Sequence, residues 1–224
     1  MIKTLLGKLH VIAALPEKNR YEAVILIHGL LLRGLYMRRI GVFLARNGYT
    51  VFIYDYFTSR KKIAGHGADF ERYLENIASE NPSLKINIVT HSLGGIITRE
   101  ALGRIDAGNS FLKDRIKRIV MLVPPNRGSD LAKAIIRHFP FLGKFIKPLP
   151  ELSSSPDAYV MKTYIPSDYE TGIIAASRDT KVSEKSTHLE SEKDHTMIIS
   201  GHSLIIFSRQ AQKAILNFLE NGSF

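Results

Sequence analysis

The run from Ile86 to Leu102 constrains this chain more than any other. Ile86-Asn87-Ile88-Val89 reads as a short apolar strand. Thr90-His91-Ser92-Leu93-Gly94-Gly95 is a small-residue turn around one serine, and Ile96 to Leu102 continues as a helix. Strand, tight turn and helix in that order can lift the Ser92 hydroxyl out of a sheet edge as a nucleophile. Gly94 and Gly95 allow close approach of neighbouring chain, and the helix N-terminus favours negative charge beside Ser92. The plain alternative is a serine that only caps its helix.

The rest of the chain repeats the same alternation. Ala23–Ile27 reads as a strand ending in His28-Gly29, Met37–Asn47 as a helix stopped by Gly48, and Thr50–Tyr54 as a strand. Gly67–Ser79 has amphipathic helical spacing, with His66 marking its start. Ile116–Val123 is a strand stopped by Pro124-Pro125. Ile173–Ala176 and Thr196–Ser200 are further strands, and Ser203–Leu219 closes as a helix. The strands are unbroken apolar runs, as expected when helices cover both sheet faces. The expected fold is α/β, a mostly parallel sheet of about six strands flanked by helices. Residues 1–224 read as one domain. Residues 126–170 form its only large insertion, a pocket rim or small lid.

Composition removes several classes. The chain has no cysteine, so disulfides, cysteine catalysis and thiolate metal sites are excluded. His10, Glu17 and Asp194 show no metal-ligand spacing, and no metal or cofactor is expected. No apolar run reaches the length of a membrane span. Ile2, Leu5, Leu6, Leu9 and Ile12 share one face of an expected helix, interrupted by Lys8 and His10. That pattern does not fit a signal peptide, so a cytoplasmic or peripheral-membrane location is expected rather than secretion. The net charge is +10. Clusters such as Arg60-Lys61-Lys62 are short and scattered, so no nucleic-acid partner is expected. A solvated basic surface is the plain reading, and weak attraction to an anionic membrane surface is the alternative.

In an open parallel sheet, ligands bind outside the carboxyl ends of the strands. Ser92 meets that criterion. The chain here resembles the α/β-hydrolase family, whose nucleophile motif is G-x-S-x-G, with Thr90 in place of the first glycine. The element order from Ala23 to Leu219 fits the family. The His28-Gly29-Leu30 turn and the final Gly201-His202-Ser203 element look most like small, nearly lidless bacterial lipases and esterases.

The resemblance implies a catalytic set in the chain order Ser, acid, His. Asp179 lies just past the Ile173–Ala176 strand, where the acid should stand. Asp168 precedes that strand, and Glu184, further along a loop, is the fallback. Two histidines compete for the base. His195 precedes the expected last strand and His202 follows it, ends roughly 17 Å apart at ~3.3 Å per residue. Only His202 would share the edge with Ser92, which leaves His195 as a surface residue beside Asp194. The resemblance also implies an oxyanion hole from the backbone N–H groups of Leu30 and Leu93. His28 reads as a brace for that loop, Asp55 as a structural hydrogen-bonding group, His91 as a packed side chain and Asn126–Ser129 as pocket rim.

The implied activity is hydrolysis of carboxylic esters through an acyl-enzyme on Ser92. The segment Phe139–Pro150 is apolar and basic at once, which favours lipid-like or medium to long acyl groups. Thioester or amide cleavage on the same residues is the nearest alternative. A binding module that keeps the fold without catalysis is a more distant one.

Overall fold

A computed structural model describes residues 11–163 and 168–224. Seven strands form one sheet in the order β1-β3-β2-β4-β5-β6-β7. They are β1 (Val11–Ile12), β2 (Glu22–Ile27), β3 (Thr50–Tyr54), β4 (Lys85–His91), β5 (Ile116–Leu122), β6 (Glu170–Ala176) and β7 (Asp194–Ile198). All neighbours pair in parallel except β1, which runs antiparallel to β3 with Val11 opposite Phe52. β1 is the strand beyond the expected six. It contains Ile12, assigned above to an N-terminal helix; a strand forms there because β3 offers an unpaired edge ladder. The remainder of that expected helix lies outside the described residues.

The unbroken apolar runs follow from burial on both faces. Ala23 to Ile27 have no exposed surface at all. One face packs against α2 (Ile63–Glu80) and α3 (Leu93–Ala107) through Phe70, Leu74, Ile96 and Ile97. The other packs against α1 (Arg38–Arg46) and α9 (Arg209–Asn221) through Ile40, Leu44, Ile215 and Phe218. Each such side chain contributes about 1.5–3 kcal/mol on burial, more than a helix cap supplies.

The topology sets the site. From β2 the chain crosses by α1 to β3 on one side, and from β3 it returns by α2 to β4 on the other. Strand order therefore reverses between β2 and β4, and the crevice at their carboxyl ends is the place for a ligand.

Three local expectations need correction. α2 begins at Ile63, so buried His66 lies inside it and donates to Thr58 O (3.2 Å) instead of marking its start. The Ile63 N–H is satisfied by the Glu151 carboxylate (2.7 Å), a cap from a distant segment that local sequence does not contain. β7 spans Asp194–Ile198, earlier than expected, with His195 opposite Ile173. His195 is thus a half-buried strand residue, not a surface one. The closing helix is divided into a 3-10 turn, Leu204–Phe207, and α9. Ser208 between them is extended, and its hydroxyl accepts from Ala211 N–H (3.3 Å), which starts a new helix.

The insertion is a string of short helices: α4 (Asp130–His138), α5 (Leu142–Phe145), α6 (Pro148–Glu151) and α7 (Tyr159–Lys162). Pro140, Pro148 and Pro150 keep the central ones short. α8 (Glu184–Thr187) follows β6. Among the described residues no helix is long and apolar enough to cross a membrane.

Candidate active site

Ser92 stands between β4 and α3 with φ 51° and ψ −121°, a left-handed backbone that a non-glycine residue adopts only under constraint. The constraint comes from both sides. Ser92 N–H donates to Leu122 O (2.9 Å) of β5, and Gly95 N–H returns to Ser92 O (2.9 Å). A methyl at Gly94 would stand 2.8 Å from Ile27 O and 3.0 Å from His28 O. One at Gly29 would stand 2.7 Å from His91 Nδ1. These glycines let the β4–α3 turn nest against the loop after β2.

The structure brings Ser92, His202 and Asp179 together from three separate strand ends. His202 Nδ1–H donates to Asp179 Oδ2 (2.6 Å), and its Nε2 faces Ser92 Oγ at 2.9 Å. The Asp179 side chain is 2% exposed. Burial by itself raises its carboxyl, but the hydrogen bond and charge of His202 and the N–H groups of Val182 (2.9 Å) and Lys181 (2.8 Å) outweigh that and hold it below the usual range. His202 is positioned through its main chain as well. His91 Nε2–H donates to His202 O (2.9 Å), and the two rings meet edge to face at 5.2 Å. Burial, followed by the charge of His202, pushes His91 down to about 3, so it stays neutral at working pH.

Residues 28–34 form the opposite wall. His28 Nδ1–H donates to Gly29 O (3.1 Å), its Nε2 lies 3.0 Å from Asp55 Oδ1, and its ring stacks on Tyr56 at 4.5 Å. Asp55 also accepts from Gly34 N–H (2.9 Å) and Arg33 (2.9 Å). Burial raises the Asp55 carboxyl, yet these bonds to His28, Arg33 and Gly34 carry it far below its ordinary value. Leu31 N–H donates to Thr58 Oγ1 (3.0 Å) and Leu32 N–H to Gly29 O (3.2 Å). Among the described residues the N–H groups of Leu30 and Leu93 have no acceptor.

A cavity of about 470 Å³ opens above Ser92 and His202. Its walls are mainly apolar: Leu30 and Leu31, then Leu131, Ile135, Leu142 and Ile146 from the insertion. Of the expected rim Asn126–Ser129, Ser129 lines this cavity, and it also donates to Lys181 O (2.7 Å), tying α4 to the loop that carries Asp179. Asn126 is buried and does not line this cavity; it donates to Thr187 O (2.6 Å) while Arg99 donates to its carbonyl (3.0 Å). Local sequence holds no signal for that second role, because its partners come from two other elements, α3 and α8.

The other acids and histidines lie apart from this set. Asp168 pairs with Lys113 at 3.0 Å. Glu184 pairs with His188 (2.8 Å), whose Nδ1 faces Glu192 (2.5 Å). His195 stacks on His188 at 3.9 Å, and its Nε2 meets Thr187 Oγ1 at 3.0 Å. Glu184, His188 and His195 offer ligand atoms within 4.8 Å of one another, the grouping that sequence spacing did not reveal. Their rings are nearly parallel (16°), so the in-plane nitrogen lone pairs do not converge on one point. A metal ion there would require one ring to turn out of the stack.

A family model described as the alpha/beta hydrolase fold matches residues 22–147, more than half of the chain. No curated protein matches in sequence. Among solved structures, the mature form of the Bacillus licheniformis lipase BlEst2 is similar with a TM-score of 0.70 at 18% identity, covering 94% of each chain. The metagenomic carboxyl esterase MGS0156 gives 0.69 at 15% identity, covering 87% of this chain and 67% of that one. YbtT, the type II thioesterase of the yersiniabactin pathway, gives 0.57 at 15% identity over 94% and 97%. At these identities the likeness is one of fold.

Proposed function

Because this chain belongs to the alpha/beta hydrolase fold family, we propose that it is a serine hydrolase of carboxylic esters with Ser92 as nucleophile, His202 as base and Asp179 as orienting acid. The observation that carries this reading is the 2.9 Å approach of His202 Nε2 to Ser92 Oγ, with Asp179 on the other ring nitrogen. Asp179 stays ionised and takes Nδ1–H, which leaves the Nε2 lone pair for the serine proton. Ser92 attacks the acyl carbonyl as His202 takes that proton. The tetrahedral oxyanion settles against the free N–H groups of Leu93 and Leu30, each worth about 2.7–4 kcal/mol. His202 then protonates the leaving alcohol, and a water activated by the same ring releases the acid.

The apolar cavity supports a lipid-like or medium to long acyl group. The names of two similar structures, a lipase and a carboxyl esterase, support the ester reading, and that of the thioesterase keeps thioesters as the alternative to test. The test is labelling by a fluorophosphonate probe beside a Ser92→Ala control, followed by p-nitrophenyl esters of increasing chain length. Ser92-dependent labelling and faster turnover of octanoyl than acetyl ester are expected. Labelling that survives Ser92→Ala overturns the nucleophile, and a preference for acetyl overturns the acyl assignment. A thioester series on the same protein separates that alternative.

A further inference from the structure

The chain carries a net charge of +10, and five cations gather in one place. Arg38, Arg39 and Arg46 of α1 and Arg209 and Lys213 of α9 line a single hollow of about 600 Å³, with no acidic side chain among its walls. Among the described residues none of these five is in an ion pair. Several cations elsewhere do meet acids: Lys61 meets Asp69, Lys117 meets Glu22, and Lys113 holds two aspartates. Like charges crowded this way repel one another. An anion in the hollow relieves that repulsion, and guanidinium forks match the paired oxygens of a phosphate. Gln212 lines the same hollow, is 6% exposed, and leaves its Nε2 without a partner.

The surroundings are apolar. Leu35 (64% exposed) lines the hollow; Tyr36, its neighbour in sequence, and Leu204 (67% exposed) and Phe207, in the turn that leads into α9, are exposed as well. Protruding aliphatic side chains around a cationic floor suit the boundary between lipid headgroups and acyl chains. The same segments also wall the catalytic cavity. Leu32 lines that cavity and Leu35 the hollow; Ser203 lines the cavity and Arg209 the hollow. We propose that this hollow binds the phosphate headgroups of anionic lipids and so docks the strand-end edge of the molecule on a membrane surface. Headgroup binding stands on the charges and the geometry alone. Only its purpose, bringing lipid acyl esters to Ser92, rests on the esterase reading.

The experiment is sedimentation of the full chain, as Ser92→Ala, with vesicles of phosphatidylcholine alone and with phosphatidylglycerol added. Binding only to the anionic vesicles is expected, weakening with salt. Arg38→Gln/Arg39→Gln/Arg209→Gln should lower the partition coefficient roughly 100-fold, the combined effect of three surface cations. The charge-matched control Lys85→Gln/Lys162→Gln/Lys185→Gln should retain binding within about threefold, since distant charges are screened. The pair Arg46→Gln/Lys213→Gln serves if the triple variant does not fold, with about a tenfold or greater loss expected. Equal binding to both vesicle types overturns the proposal, as does equal loss in the control. A thermal shift with glycerol 3-phosphate but no vesicle binding assigns the hollow to soluble phosphates and also overturns it. So does binding of a single-stranded oligonucleotide more tightly than anionic vesicles. Because the nucleophile is absent throughout, failure here leaves the fluorophosphonate test of the esterase reading untouched.

Discussion

His91 shows how one buried side chain can fix the geometry of a site without reaching its reacting atoms. It sits beside Ser92 in sequence, yet its hydrogen bond goes to the main chain of His202. It also places a pH dependence in the fold. Its folded pKa, about 3, lies below the ordinary histidine value of about 6.5. Between those limits the unfolded chain takes up a proton that the folded chain refuses, so the contribution is complete above about pH 6.5 and is lost as pH falls toward 3. Asp55 and Asp179 have the same sign but act lower, below the ordinary carboxylate value of about 3.9. The two windows therefore separate. His91→Gln should lose less melting temperature than the wild type between about pH 7 and pH 5. Parallel melting curves for the two proteins over that interval would remove His91 as the source.

Among elements, α4 joins the acyl pocket to the catalytic acid. Ser129 caps it, accepting from Ala132 N–H (3.2 Å), and donates to Lys181 O in the Asp179 loop. Its inner face gives Leu131, Ala132 and Ile135 to the cavity. A larger side chain at Ala132 takes up space in that cavity, and Ala132 has no hydrogen bond to Ser92, His202 or Asp179. Ala132→Phe should lower kcat/KM for an octanoyl ester by about tenfold or more while leaving an acetyl ester within about threefold, as loss of several buried methylenes requires. Equal losses for both esters would mean that the cavity wall does not read acyl length.

Across the whole molecule, the sheet's strand order decides which titrating groups can meet. β6 and β7 run parallel with Ala176 opposite Ile198, so the segments beyond them emerge at one edge, carrying Asp179 and His202. His195 lies within β7, opposite Ile173, and takes its partners from α8. His202→Ala should therefore reduce ester turnover by about 10³-fold or more. His195→Ala should leave it within about threefold, because a side chain outside the reacting set changes only stability. Steady-state rates on one soluble ester check both, and the reverse result would exchange their roles.

Much of this arrangement is legible in the chain. The strand cores, the helices after them and the serine turn follow from apolar runs and period, because both sheet faces are covered and each element buries its own stripe. The strand-end rule selects Asp179 over Asp168 and His202 over His195 even though β7 begins earlier than its apolar residues suggest. What local sequence does not contain is any partner supplied from afar. The Glu151 cap on α2 and the pairing of Ile12 with β3 depend on segments far apart in the chain. The break at Ser208 and the His188–His195 stack join residues nearer in sequence, but neither follows from an apolar period.

The sequence by itself determined the parallel sheet, the order of its elements and the residues that arrive at its carboxyl edge, because periodicity and burial are local properties. Only the tertiary structure decided the 2.6 and 2.9 Å contacts among Asp179, His202 and Ser92, the Leu30 and Leu93 N–H groups left free, and the gathering of five cations between α1 and α9. Those depend on distances between segments scores of residues apart. Such distances are set by packing and crossover geometry, not by any residue's own preference.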